Sequence, residues 1–206
     1  TYYNPRRMNF GALRVLNDDR VEAGKGFGIH PHKNMEIISI PLKGKLKHGD
    51  SNKNSRTITI GDIQTMSAGT GIYHSEMNGS DTEPVEFLQI WVMPEKLNTP
   101  PAYRDYDIRP FLRKNELALI VSPDGDAPAK MLQQTWFSIG EIEAGKKIGY
   151  HMHQSHAGVY IFVIEGEVKV DDTVLSRRDG MGVYDTHSFE LETLKDSHIL
   201  LMEVPM

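Results

Sequence analysis

The sequence predicts an all-β protein built from two jelly-roll β-barrels in tandem. Its apolar segments are short, and 18 glycines and 11 prolines interrupt the 206 residues at close intervals, a pattern typical of β-sandwiches and barrels. No segment has the apolar spacing of an amphipathic helix of useful length. A third observation, an internal repeat, divides the chain into two similar halves.

Branched and apolar residues predict the strands of the first half. Residues 12–23 predict a short strand pair around a turn at Asn17-Asp18-Asp19, because these residues favour turns. Gly61-Asp62 predicts another turn, ahead of a glycine-rich segment at 68–71. Further strands are predicted at residues 35–42, 45–50, 57–60, 63–66 and 85–93.

A proline-rich connection follows at residues 94–114. Its four prolines remove backbone donors that a sheet would need, and strands resume at 117–121 and 130–143. We therefore expect an N-terminal domain at residues 1–110 and a C-terminal domain at residues 111–206.

The repeat is carried by the pattern G-K-x-x-G-x-H-x-H, which occurs at residues 24–32 and again at 145–153. Each copy precedes an apolar run that ends at a glycine. His187 then parallels His74 in position. Two copies of one β-domain account for these similarities.

Four candidate metal ligands stand in two pairs, His30-Pro-His32 and His74-Ser-Glu76. Side chains two residues apart in a strand share one face, so both members of each pair can point to one place. Three imidazoles and one carboxylate suit divalent iron, zinc, manganese, nickel or copper, and they leave positions open on an octahedral ion. The sequence therefore predicts a catalytic metal site at His30, His32, His74 and Glu76.

Three glycines precede the first histidine pair, at positions 24, 26 and 28. A phosphate-binding loop would require a helix after them, and the sequence predicts none there. We expect instead that they allow close approach of the backbone beside the metal.

Composition argues against several other classes of protein. The net charge of −5 and the absence of a long basic run oppose direct binding of nucleic acid. The chain has no cysteine, which excludes disulfides and thiolate ligands, and it has neither a membrane-length apolar run nor a signal-peptide pattern. We expect a cytoplasmic monomer, because two barrels can bury their cores without a partner.

The residues around the candidate ligands resemble the signature of the pirin family, within the cupin superfamily. The similarity covers His30 to Glu36, Gly61-Asp62, the segment from Met66 to Glu76, and Gln89-Ile-Trp91-Val-Met-Pro. It covers most of the first half and extends more loosely to the C-terminus. Family members usually carry residues ahead of Tyr-Tyr-Asn-Pro, so we expect residues before Thr1.

The resemblance implies a bicupin, and it places the family's metal ligands on His30, His32, His74 and Glu76. Several family members resemble quercetin 2,3-dioxygenases, which open flavonols with O₂ and release carbon monoxide. We then expect one divalent metal, iron(II) first, with Glu76 as the base that takes the flavonol 3-hydroxyl proton. The alternative is a metal-binding regulatory protein of the pirin type that acts through a protein partner.

The second half departs from the family pattern. His151, His153 and His187 persist, but no His-Ser-Glu follows them, and the C-terminal domain of this family commonly lacks a metal. Whether these three bind a second metal is left open. Glu36 occupies the place of a common cupin ligand, and we expect it to be structural because Glu76 supplies the carboxylate in pirins.

Overall fold

The computed structural model describes residues 4–5 and 8–206, and these residues are almost entirely β-structure. The one helical element among them is a three-residue 3₁₀ helix, Arg109–Phe111, so the all-β prediction is confirmed. No helix in the described part of the chain is long and apolar enough to cross a membrane.

The chain forms two compact units. The N-terminal unit comprises Leu13–Arg109 together with Pro128–Gln133, and the C-terminal unit comprises Pro110–Ala127, Gln134–Met206 and the described residues up to Ala12. The predicted division into residues 1–110 and 111–206 stays a prediction.

The N-terminal unit contains ten strands. They are β1 (Leu13–Val21), β2 (Gly26–His32), β3 (Glu36–Lys43), β4 (Lys45–Asp50), β5 (Ser55–Thr59), β6 (Asp62–Ser67), β7 (Ile72–Asn78), β8 (Val85–Val92), β9 (Ala102–Asp107) and the two-residue β11 (Ala129–Lys130).

The C-terminal unit contains nine strands. They are β10 (Ala118–Ser122), β12 (Trp136–Ile142), β13 (Lys147–His151), β14 (Ala157–Glu165), β15 (Glu167–Val170), β16 (Thr173–Ser176), β17 (Gly180–Tyr184), β18 (Ser188–Thr193) and β19 (Ser197–Pro205).

The strand orders of the two units correspond. In one sheet of each unit, the order β1-β8-β3-β6 of the N-terminal unit matches β12-β19-β14-β17 of the C-terminal unit. In the other sheet, β2-β7-β4-β5 matches β13-β18-β15-β16. Strand β2 therefore matches β13, and β7 matches β18. The repeat inferred from the sequence is thus a repeat of topology.

Each unit has its own apolar core. In the N-terminal unit, Phe87 and Val85 pack with Leu46 and Ile58. A second cluster forms around Ile37, Met66, Ala68 and Ile72, with Met35, Trp91 and Tyr103 partly buried against it. The core of the C-terminal unit is lined by residues such as Val159, Ile161, Leu191 and Ile199.

Two local predictions are wrong. The expected proline-rich connection at residues 94–114 contains strand β9 (Ala102–Asp107), which has no proline within it and pairs with β6 along its length.

The second wrong prediction concerns β1, which contains no turn at Asn17-Asp18-Asp19. The strand runs unbroken from Leu13 to Val21 and pairs with β8 along its length, with Asp18 opposite Leu88. Strand β8 is largely buried, and its pairing with β1 outweighs the turn preference of three polar residues on an edge strand.

Candidate metal centre

The four predicted ligands lie on two paired strands, β2 and β7. His30 stands directly opposite His74 in the ladder, and Phe27 stands opposite Glu76, with a register shift in β2 between Phe27 and His30. In β7 every second residue is buried, which turns His74 and Glu76 to the inside. Cross-strand pairing therefore brings together residues that are forty-four positions apart in the chain.

Gly26 allows the close approach of these two strands. A Cβ atom at position 26 would lie 2.4 Å from the backbone oxygen of Glu76 and 2.6 Å from the Cα atom of Met77. Gly28 has no atom within 4 Å of such a Cβ. The expected role of the glycine run therefore applies to Gly26 and does not extend to Gly28.

The three histidines form a compact group of donors. One ring nitrogen from each of His30, His32 and His74 lies within 4.8 Å of the other two, and their ring centroids are 4.4–4.9 Å apart. His74 is buried and the other two are half-buried. This spacing allows all three rings to reach one ion.

The unused ring nitrogens of this group fit a metal. Nε2 of His32 and both ring nitrogens of His74 are buried without a hydrogen-bond partner, a costly arrangement unless another ligand occupies them. His30 donates a hydrogen bond through Nδ1 to the carbonyl oxygen of Gly28 at 2.7 Å. This bond fixes the tautomer and leaves Nε2 unprotonated, with a lone pair that can bind a metal.

Burial keeps the imidazoles of His32 and His74 neutral, which is the form that binds a metal. Burial, with the nearby His30, lowers the pKa of His32 to about 4. Burial and the neighbouring histidines lower the pKa of His74 to about 3. Neither ring needs to lose a proton near neutral pH before it can bind a cation.

Glu76 is buried but is engaged elsewhere. Its Oε1 accepts from the hydroxyl of Ser39 at 3.1 Å, and its Oε2 accepts from the side-chain amide of Gln89. Among the described residues, the group of mutually close donors contains the three histidines and not Glu76. Its role as fourth ligand therefore stays a prediction. Burial raises the pKa of its carboxyl, and the bonds from Ser39 and Gln89 oppose that rise.

A second buried histidine, His48, lies beside the group and was not identified from the sequence. Its Nε2 lies 3.0 Å from Asp50 Oδ2, its ring stacks on Tyr103 with centroids 4.2 Å apart, and its centroid is 5.5 Å from that of His74. The amide of Gln64 meets its Nδ1 at 3.3 Å. The spacing His48-x-Asp50 in one strand is the signal that could have found it.

Glu36 holds a distant segment of the chain. Its carboxylate accepts from the hydroxyl of Ser67 at 2.9 Å and from the backbone N–H groups of Leu132 and Gln133 at 3.1 and 2.7 Å. Gln133 in turn donates to the backbone oxygen of Met93. The buried Glu36 therefore anchors residues 128–133 within the N-terminal unit.

The histidines of the C-terminal unit do not assemble in the same way. His151 stands opposite Ser188 in the ladder of β13 and β18, so His187 precedes the position that matches His74. A shift of one residue moves a side chain to the other face of a strand. Among the described residues, these histidines form no group of close donors.

His153 has a different partner. Its Nδ1 lies 2.7 Å from Oε2 of the fully buried Glu203, whose carboxylate also accepts from the hydroxyl of Tyr150 and the backbone N–H of His153. The ring of Trp136 stacks on His153, with centroids 4.9 Å apart and planes within 4°. This histidine belongs to a buried hydrogen-bond network.

Comparison with known proteins agrees with the two-unit architecture. The family model described as Pirin matches residues 1–92, and the model described as Quercetinase C-terminal cupin domain matches residues 119–204. The chain is 38% identical over 209 residues to a protein of Escherichia coli K12 named quercetin 2,3-dioxygenase, covering 99% of this chain and 87% of that protein. It is 34% identical to a pirin-like protein of Caulobacter vibrioides, covering 98% of this chain and 88% of that one.

A solved structure is also similar to this chain over nearly its whole length. The crystal structure of the bacterial pirin YhhW from Escherichia coli in complex with nickel(II) has a TM-score of 0.92 and 36% sequence identity to this chain. The match covers 99% of this chain and 87% of that one.

Proposed function

Because the chain belongs to the pirin family, we propose that it is a metal-dependent dioxygenase that cleaves flavonols, with quercetin as the test substrate and O₂ as co-substrate. The observation that carries the proposal is the convergence of three imidazoles with three buried ring nitrogens that lack a hydrogen-bond partner. Full-length relatives named quercetin 2,3-dioxygenase support the choice of reaction.

His30, His32 and His74 hold one divalent metal in this proposal, and Glu76 completes the set from the same face of β7. Iron(II) is the first candidate. Zinc, manganese, nickel and copper suit the same donors, and a relative has been solved with nickel(II). When bound, the metal would supply Lewis-acid stabilisation of the ionised substrate oxygen and would position the substrate for reaction with O₂.

Glu76 acts as the general base. Its buried carboxylate, 1% exposed, has a raised pKa because burial disfavours its charge, which makes it a better proton acceptor than an exposed glutamate. It takes the proton of the flavonol 3-hydroxyl at a carboxylate oxygen. Ser39 and Gln89 donate to that carboxylate and limit its motion.

The substrate lies against the exposed side of the group. His30 and His32 are half-buried, so one side of the histidine group is accessible. Phe27 is 42% exposed and stands opposite Glu76 in the ladder, and Trp91 meets the ring of His32 edge-on at 4.8 Å. In this proposal a flat flavonol packs against these two aromatic rings.

The test is quercetin oxidation in air by protein loaded with each metal in turn. We expect about one metal per chain, metal-dependent loss of quercetin absorbance, and carbon monoxide release. Glu76→Gln should reduce kcat by about 10²–10⁴-fold while metal remains bound, as expected for loss of a general base. Glu190→Gln is a matched control. Ser188 occupies the position in β18 that matches His74 in β7, so Glu190, two residues further on, matches Glu76 but is exposed.

Unchanged turnover in Glu76→Gln would refute the assigned base. Metal binding without any oxygen consumption would refute the dioxygenase proposal and favour the regulatory alternative, in which a metal-loaded pirin acts through a protein partner.

A further inference from the structure

We propose that Trp91 and Gln89 form a positioning pair for Glu76, in which the Trp91 indole fixes the Gln89 amide so that its NH₂ group faces the carboxylate. The inference rests on the proposed function, since it assigns to Glu76 a role at the metal centre. It adds two residues of β8 that the ligand pattern does not include.

The orientation of the Gln89 amide follows from the chemistry of its neighbour. The indole N–H of Trp91 lies 3.1 Å from Gln89 Oε1, and an indole can only donate. The atom facing Trp91 must therefore be the amide oxygen. The NH₂ group then points the other way, where it donates to Glu76 Oε2.

A flipped amide would be unfavourable at both ends. Its oxygen would face the carboxylate of Glu76, and its NH₂ would face the indole N–H, so two hydrogen bonds would become two repulsive contacts. Gln89 is 7% exposed and Glu76 is 1% exposed, which leaves little water to replace a lost bond. Trp91 therefore blocks the flip although it does not touch Glu76 through a hydrogen bond.

The carboxylate is held from two strands. Gln89 on β8 stands directly opposite Ser39 on β3, and these neighbours donate to different oxygens of Glu76. Two donors on two oxygens restrict both the position and the plane of the carboxylate. Loss of these two donors would let the Glu76 carboxylate rotate away from the orientation needed to bind a metal or to accept the substrate proton.

Trp91 also contacts a predicted ligand directly. Its ring meets His32 edge-on, with centroids 4.8 Å apart and planes at 84°. One side chain therefore restrains a histidine of the group by packing and Glu76 by way of Gln89. Trp91→Phe separates these effects, because phenylalanine keeps an aromatic ring beside His32 and removes the N–H.

The experiment is a double-mutant cycle of Trp91→Phe and Gln89→Met, with the nickel(II) dissociation constant of metal-free protein as the readout. We expect Gln89→Met to weaken binding by about 10–100-fold, the usual effect of losing a group that orients a ligand. Trp91→Phe should weaken it in the same direction. The double variant should be no weaker than Gln89→Met alone, because Trp91 acts through Gln89.

A second readout does not depend on metal. The chain has two tryptophans, so Trp136→Phe assigns the Trp91 indole N–H resonance in NMR spectra and also serves as the matched control for nickel affinity. We expect this indole proton to be protected from exchange in the parent and to lose protection in Gln89→Met.

Three outcomes would overturn the inference: nickel affinity in Trp91→Phe equal to that of the parent, losses that multiply in the double variant, or unchanged indole protection in Gln89→Met. If Trp91→Phe does not fold, parent-like nickel affinity in Gln89→Met overturns it. Failure of the proposed function looks different, because the parent itself would then bind no metal or would not consume oxygen.

Discussion

Replacement of Gly26 by alanine should destabilise the N-terminal unit, while the same change at Gly28 should not. The added Cβ at position 26 lies 2.4 Å from a backbone oxygen of β7, about 1 Å closer than the ordinary contact of 3.4 Å. The Met77 Sδ atom, 2.6 Å away, can rotate aside, but the other two near neighbours are backbone atoms that cannot. Strand β2 must move away from β7, and overpacking of this kind costs about 1–3 kcal/mol.

Gly28 provides the control in the same strand. A Cβ there meets nothing within 4 Å, and alanine restricts the unfolded chain, so Gly28→Ala should leave the free energy of unfolding unchanged or raise it by about 0.4–1 kcal/mol. Because His30 and His32 move with β2, Gly26→Ala should also weaken nickel binding relative to Gly28→Ala.

The assay is urea unfolding of metal-free protein in a Trp136→Phe background, where fluorescence comes from Trp91 and reports on the N-terminal unit. A nickel titration of each variant follows. Equal free energies of unfolding for Gly26→Ala and Gly28→Ala would refute the close approach of β2 and β7 at this point.

Three further predictions concern buried Glu36, the unit that binds the metal, and the dependence of stability on pH. Glu36→Gln should lower the free energy of unfolding of the N-terminal unit by about 1.5–3 kcal/mol. The reason is that an amide cannot accept at both positions from the N–H groups of residues 132 and 133. The control is Glu95→Gln at an exposed position, and equal urea midpoints for the two variants would contradict the assigned role of Glu36. His30→Ala combined with His74→Ala should abolish bound metal, while His151→Ala combined with His187→Ala should leave about one per chain; elemental analysis decides, and undiminished metal in the first double variant would refute the site. The metal-free protein should lose stability as the pH falls from about 6.5 towards 4. The folded-state pKa values of about 4 and about 3 for His32 and His74 lie below the unfolded value, so the unfolded state binds more protons in this window. Urea midpoints measured at pH 7, 6 and 5 should fall less steeply with falling pH in the double variant His32→Gln, His74→Gln than in the parent. An identical fall in both proteins would contradict the assignment.

The sequence predicted the fold well where its signals were local. The spacing of the two pairs predicted that the members of each pair share a face. The alternating burial of β7 agrees with this, and the structure places His30, His32 and His74 together. The repeat at residues 24–32 and 145–153 predicted two similar topologies, which the strand orders confirm.

Features that depend on register or on packing between sheets could not be predicted in this way. His187 parallels His74 by spacing, yet Ser188 is the residue opposite His151, and register is set by turns and pairing that the spacing does not reveal. Gln89 and His48 reach the histidine group from other strands. Gln89 lies on β8 in the other sheet, so its distance to Glu76 depends on how the two sheets pack, which no short motif encodes. His48 lies on β4 in the same sheet as β7, opposite Glu76, so its place depends on the register of that pair.

The anchoring of residues 128–133 by Glu36 has a consequence for the order of events during synthesis. The acceptor emerges 97 residues before its partner Gln133, and ribosomes add about 5–20 residues per second. For several seconds the strands that carry the histidines have been synthesised, but two of the three hydrogen-bond donors to the Glu36 carboxylate, the N–H groups of residues 132 and 133, have not. The N-terminal unit can therefore complete its native hydrogen bonding only after residues 132 and 133, beyond the proline-rich segment, have been translated. A gene cut at that proline-rich boundary would produce a half that never completes it.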